Sequence, residues 1–474
     1  MTRLKPALLL LLAAIVASAL WHRYKPLPEG LALRSTAFPA HHLALLVDDT
    51  WETAAGTRGI RQEIFDEVFR LIDQAERQVV VDMFLFNDFL GAGSEAYRPL
   101  TEQLTRALIA KRHEQPPVPV VLITDPINTL YGGVHSPHLE QLREAGVTVV
   151  TTPLGALRDS NPGWSGFWRL CCEWAGNSTQ GGWLPNPMAP GKVTLRSYLT
   201  LLNFKANHRK TLIVDEGEKW TALVTSANPH DGSSAHSNIA LRFSGPAAAA
   251  LLESELAVLD MAGVERPTLP AMTGSQESAD DASLEVLTEA AIRDALLETV
   301  ARSEAGDRLD VSVFYLSHRS LIAALKRAHG RGVSVRVLLD PNKDAFGRQK
   351  NGIPNRQVGA AFHQHGMAVR WCNTRGEQCH TKMLMLTRGE QAELILGSAN
   401  FTRRNLDNLN LETSVRLTAS SSHPIMLDAS NAFLRRWENR DEEKHSLDYA
   451  AYADDAIWKK GVYRIMEFTG WSSF

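Results

Sequence analysis

Two short stretches of this 474-residue chain hold side chains that could do chemistry together. His208 and Lys210 stand two residues apart in HRKTLIVD (208–215), and His380 and Lys382 repeat the spacing in HTKMLMLT (380–387). Each pair enters an apolar run that reads as a strand. Alternation would put His208, Lys210 and Leu212 on one face and Arg209, Thr211 and Ile213 on the other. A single His-x-Lys pair fits an exposed strand edge just as well. Two copies weigh more, because TSAN ends at Asn228 and GSAN at Asn400, each 20 residues beyond its histidine. If the two regions pack face to face, two imidazoles and two ammonium groups surround one point. Ser226, Asn228, Ser398 and Asn400 join them as hydrogen-bond donors. That constellation suits a phosphodiester. The ammonium and amide groups would stabilise charge developing on the non-bridging oxygens. One neutral histidine would attack phosphorus, and the other, protonated, would give its proton to the leaving oxygen. Such chemistry requires no metal and no cofactor. The chain offers neither a convincing carboxylate cluster nor the cysteine spacing of a zinc site.

The elements that must position these residues are themselves repeated. IRQEIFDEVFRLIDQAERQVVVDMFLF (60–86) and AAIRDALLETVARSEAGDRLDVSVFYL (290–316) each run from helical spacing into a β-branched segment. Both continue with a helix and a strand ending in Asp-Pro, at Asp125 and Asp340, then another helix and a Gly-led strand. The alternation predicts an α/β sandwich built twice, with a first half over 26–265, a linker over 266–283 and a second half over 284–474. The copies differ in length between the Gly-led strand and the histidine. Gly146 to His208 spans 62 residues and Gly366 to His380 only 14, so the first copy carries an insertion at about 153–200. It holds Trp164, Phe167, Trp168, Trp174 and Trp183 among Gly and Pro. Placed just before the His-x-Lys strand, it should lie near the mouth of the site. Its rings fit either a membrane–water interface or a small satellite core.

The doubled His-x-Lys-x4-Asp and Ser-x-Asn pattern resembles the phospholipase D superfamily, over residues from about 44 to 440. The resemblance implies a bilobal α/β/α fold with one active site at the pseudo-dyad and a covalent phosphohistidine intermediate. Carried over, His208 is the nucleophile and His380 the acid. Asp215 closes the first motif, whereas the matching seventh residue after His380 is Thr387. The motif aspartate supports the fold of the motif more than it touches phosphate, so this departure leaves the chemistry standing. Glu412, twelve residues after Asn400, stands where relatives often place a carboxylate that orients a catalytic histidine. The same count from Asn228 reaches Ala240, so the twin acid is expected to be absent.

Composition describes a folded chain, 44% hydrophobic and 22% charged. The 50 Lys and Arg nearly cancel the 53 Asp and Glu, which argues against a nucleic-acid partner. At the N-terminus, Arg3 and Lys5 precede an apolar run from Ala7 to Ala17 that resumes at Ala19–Trp21. Residues 1–25 read as a signal peptide or membrane anchor, with Ala17-Ser18-Ala19 as a cleavage pattern. The run itself is short for a full span. Of the four cysteines, Cys372 and Cys379 could bridge in an oxidising compartment. The expected substrates are membrane phospholipids, handled by a membrane-associated, exported monomer whose site is complete within one chain. An exported nuclease and a non-catalytic lipid-binding relic are the competing readings.

Overall fold

The computed structural model describes residues 4–90, 97–269, 281–345, 348–472 and 474. Residues 270–280, most of the predicted linker, and Arg3 lie outside them. The first half contributes seven strands that recur in the second. They are β1 (His41–Glu52), β2 (Val79–Met83), β3 (Val120–Thr124), β4 (Thr148–Thr151), β5 (Lys210–Glu216), β6 (Lys219–Thr225) and β7 (Asn238–Ser244). Their counterparts are β8 (Ala282–Thr288), β9 (Arg308–Val313), β10 (Ser334–Leu339), β11 (Ala368–Cys372), β12 (Lys382–Arg388), β13 (Gln391–Gly397) and β14 (Thr413–Ser420). Spatial order is the same in both sheets: β1-β7-β6-β5-β2-β3-β4 and β8-β14-β13-β12-β9-β10-β11. Within each, the His-x-Lys strand lies antiparallel to two neighbours, at the point where the parallel part of the sheet gives way to hairpins. The short strand Phe38–Pro39 departs from the predicted boundary. It belongs by sequence to the first half but adds to the edge of the second sheet, beside β8.

Both sheets are covered on both faces, which is why their central strands read as unbroken Val, Ile and Leu runs. Helices Ile64–Gln74, Leu100–Glu114 and Pro137–Glu144 cover the outer face of the first sheet, and Ala290–Arg302, Arg319–Gly330 and Asn355–His363 that of the second. The inner faces share one core with helices Pro246–Met261 and Pro424–Glu438 between them. The first of these buries Leu251, Leu252, Leu256, Val258 and Leu259, and leaves Glu253 and Asp260 at the surface. Each such side chain contributes roughly 1.5–3 kcal/mol on burial, so the halves are joined back to back by a continuous apolar layer. The predicted alternation holds along β5, with Leu212 in the outer core and Ile213 in the shared one.

The N-terminal segment is a 21-residue helix, Leu4–Tyr24, longer than the apolar run alone suggested because the helix continues through His22 and Arg23. By length and composition its stretch Lys5–Tyr24 suffices to cross a membrane. It packs on the insertion helix Pro162–Cys171, where Gly166 lies against the backbone of Ile15. The insertion divides its aromatics. Trp168 is buried and stacks on Trp164, whose indole N–H donates to the Leu199 carbonyl, whereas Trp174 and Trp183 are 80% and 64% exposed. A second apolar surface, not anticipated from the sequence, is helix Ile457–Thr469, which exposes Ile457, Trp458, Ile465 and Phe468. Gly470 ends it with φ +79°, and a Cβ there would sit 2.1 Å from the Ser160 carbonyl, so only glycine seats this helix end on the insertion. Cys372 and Cys379 are bonded to each other, as are Cys171 and Cys172.

Candidate functional site

His208 and His380 open into one cavity of about 340 Å³ between the halves, together with Asn228 and Asn400. Each histidine precedes its strand by two residues and is fixed by the opposite half. The His208 N–H donates to the Leu411 carbonyl (2.8 Å), and the His380 N–H to the Ser237 carbonyl (2.8 Å). The residue after each acceptor then reaches the imidazole. Glu412 lies 2.9 Å from Nδ1 of His208, and the Asn238 Oδ1 lies 3.1 Å from Nδ1 of His380. The twin of Glu412 is therefore present, as an amide at 238 rather than an acid at 240. The connection after Asn228 is two residues shorter than that after Asn400. Backbone bonds confirm the pairing of positions: Ser226 N–H meets the Ile239 carbonyl as Ser398 N–H meets that of Thr413. Ala240 belongs to the outer core of the first sheet and is paired with Thr225.

Ser226 and Ser398 do not face the cavity as expected. Both are fully buried, and their hydroxyls donate to Asn238 and Glu412 respectively. They hold the groups that hold the histidines. Asn405 completes the grip on Glu412 through its side-chain amide. The Asn238 amide nitrogen donates to the His236 carbonyl (3.0 Å), which turns its oxygen toward His380 and makes Nδ1 of that ring the donor. Both imidazoles are thereby set in the tautomer that leaves Nε2 as the lone-pair nitrogen.

Lys210 and Lys382 lie deep beside the rings. Each ammonium donates to the carbonyl of the histidine two residues earlier, at 2.7 and 2.6 Å. Phe84 and Phe314 close over them, with Lys210 Nζ 5.0 Å and Lys382 Nζ 5.5 Å from the ring centres, while the same rings touch His208 and His380. Burial is the main cause pushing Lys210 down to about 7 and His208 down to about 4, and it holds Lys382 and His380 well below their ordinary values. For His208 the Glu412 carboxylate opposes that shift; His380 has only the neutral Asn238 amide.

Asp215 stands apart from the cavity. Its carboxylate accepts the backbone N–H groups of Glu76, Arg77 and Gln78 at 2.8–3.0 Å, tying the helix-to-strand turn to the end of β5. The carboxylate therefore serves the fold of the motif and does not line the cavity. In the second half the turn ties itself, Asp307 accepting the Glu304 N–H (2.8 Å), and the Thr387 hydroxyl accepts from Arg308. Two aspartates that the sequence marked only as strand ends do serve the site. Asp125 accepts the N–H of Asn207, and Asp340 that of Cys379, so each anchors the residue just before a histidine. Burial raises them to about 7 and about 6. Phe84, Phe314 and His236 also line the cavity without any motif to announce them.

Residues 297–437 match the family model described as "Cardiolipin synthase, PLD-like domain". Among solved structures, phosphatidylserine synthase of Haemophilus influenzae Rd KW20 is similar over 91% of this chain and 95% of its own, at 11% identity and a TM-score of 0.56. Polyphosphate kinase from Porphyromonas gingivalis is 13% identical over 90% of this chain, with a TM-score of 0.46, and the chain spans only 53% of it. The phospholipase D family member Nuc from Salmonella typhimurium is 19% identical over 35% of this chain and 97% of its own, with a TM-score of 0.27. At such identities the synthase speaks for the fold alone, and the other two overlays are too loose to argue from. No curated protein matches the chain by sequence. The family match falls on the half that carries His380, and the synthase shares the fold across both halves.

Proposed function

We propose that this protein is a phosphodiesterase or phosphatidyltransferase of membrane phospholipids that works through a covalent phosphohistidine on His208. The carrying observation is the unequal pair of orienting contacts, a carboxylate on His208 and an amide on His380. Nε2 of His208 attacks phosphorus, and the bond from phosphorus to the leaving oxygen breaks. His380, protonated, gives its Nε2 proton to that oxygen. The phosphorylated imidazole is cationic, and Glu412 balances it. In the second step His380 takes the proton of water or an alcohol, whose oxygen attacks phosphorus and expels neutral His208. The amides of Asn228 and Asn400, with the free donors of Lys210 and Lys382, serve the non-bridging oxygens.

Three features support a phospholipid as substrate. The cavity wall beyond the polar centre is apolar, with Ile127, Met188, Leu201, Phe204 and Phe314. The N-terminal helix is long enough to span a bilayer, and Trp174, Trp183 and helix Ile457–Thr469 expose large apolar side chains. Trp and Phe at such surfaces suit the lipid headgroup region. Both bonded cysteine pairs fit an exported face. Labelled phosphatidylglycerol or phosphatidylethanolamine, incubated with ethanol and a chelator, is expected to give phosphatidylethanol. Glycerol or phosphatidylglycerol as acceptor then separates transfer from hydrolysis by product. Cleavage of single-stranded DNA with untouched lipid would overturn the reading.

A further inference from the structure

Arg404 lines the same cavity, and the reaction above does not use it. It sits in the short helix Arg403–Leu406, only 9% exposed, four residues beyond Asn400. Its surroundings are unusual for a buried cation. No carboxylate faces it among the described residues. One guanidinium nitrogen donates to the carbonyls of Gly470 (3.3 Å) and Ser472, and the group lies 5.0 Å above the Phe204 ring. Nε is buried without a partner, and the other terminal nitrogen makes no hydrogen bond among the described residues. Burial, reinforced by Arg403, lowers its pKa to about 9, which still leaves it charged at neutral pH.

The cation nearest in kind makes the contrast. Lys205 also lines the cavity, but it is neutralised by Asp159 at 2.7 Å, which Arg169 shares. An uncompensated buried guanidinium is costly to keep, and a bound anion removes that cost while gaining charge-assisted hydrogen bonds. The charge is also one-sided. Between Asn228 and Asn238 the first half carries no Arg or Lys, so the pseudo-dyad does not repeat Arg404. An anion at Arg404 is therefore a second one, beside the phosphodiester that the symmetric histidines share.

We propose that Arg404 is a specificity-determining residue that binds a second anionic group of the substrate, a phosphate or a carboxylate carried by the headgroup. This rests on the phospholipid reading above and narrows it to headgroups with a charge of their own.

The test compares three short-chain lipids on the full chain. Cardiolipin carries a second phosphate and phosphatidylserine a carboxylate, whereas phosphatidylglycerol has only the scissile phosphate. Arg404→Gln is expected to lower kcat/KM about 30-fold for one or both of the first two, and less than about 3-fold for phosphatidylglycerol. Arg404→Lys should recover part of the loss, and an unchanged thermal midpoint excludes misfolding. The lipid that responds tells phosphate from carboxylate. Equal losses on all three would sink the subsite while leaving phospholipid turnover intact. Binding of the same lipids to His208→Ala, measured by calorimetry, separates the two ideas further. Anion-selective binding that Arg404→Gln abolishes, with no turnover by the unaltered protein, upholds the subsite and overturns the catalytic reading. No selectivity in binding overturns the subsite whatever the turnover.

Discussion

The two halves share strand order, strand register and the position of a histidine, yet they differ where charge matters. In the second half Glu412 projects a carboxylate onto the first half's His208; in the first half Asn238 projects an amide onto His380. A carboxylate stabilises a ring that becomes cationic, and an amide orients a ring without holding its proton back. The backbone thus repeats while the electrostatics around the two rings differ. Asp215 and Thr387 differ for another reason. Asp215 ties down three backbone N–H groups of a turn, and the second half meets the same need locally with Asp307. Its absence from the second motif touches architecture alone.

The largest effect should come from removing either ring. His208→Ala and His380→Ala are each expected to lower kcat by about 1,000-fold or more, and the double variant should be no worse, since the two act as a unit. Turnover near half in either single variant would break the proposed division of labour. A finer probe converts one half's chemistry into the other's. His380 is held well below 6.5, first by burial and then by Lys382 and His236. The protonated acid therefore disappears as pH rises, and the basic limb of kcat/KM should lie below pH 6.5. Asn238→Asp puts a carboxylate on Nδ1, raises the proton affinity of His380 and should move that limb to higher pH. A limb that stays in place would mean that His380 is not the acid. The smallest effect is expected at position 387. Thr387→Asp should change unfolding free energy by less than about 0.5 kcal/mol, as surface changes commonly do. Asp215→Ala should cost about 2 kcal/mol in denaturant titration, because it strands the buried Gln78 N–H and removes the acceptor of two part-buried ones.

Much of this was legible because identical spacings imply identical folds. Twenty residues from His208 to Asn228 and from His380 to Asn400 span the same hairpin twice, so both asparagines reach the cavity. The same logic failed for the orienting group, since the turn after Asn228 is two residues shorter and equal counting landed on Ala240. It failed for Ser226 and Ser398 because spacing places a residue on a strand end but not its hydroxyl. Arg404 and Phe84 belong to no motif, and their importance comes only from what the opposite half brings near them. Trp164 and Trp174 looked alike in the insertion; one caps its stack against Leu199 and the other stands in solvent.

The crossed grip on the two histidines also bears on how such a gene can change. Each half supplies one histidine together with the group that steers the other half's ring, through Leu411–Glu412 in one direction and Ser237–Asn238 in the other. Recombination that replaced one half with that of a relative would import a histidine and discard its steering group. The duplicated halves have therefore lost the freedom of modules: they can drift in their outer helices and insertions, but at the pseudo-dyad they must be inherited as a matched pair.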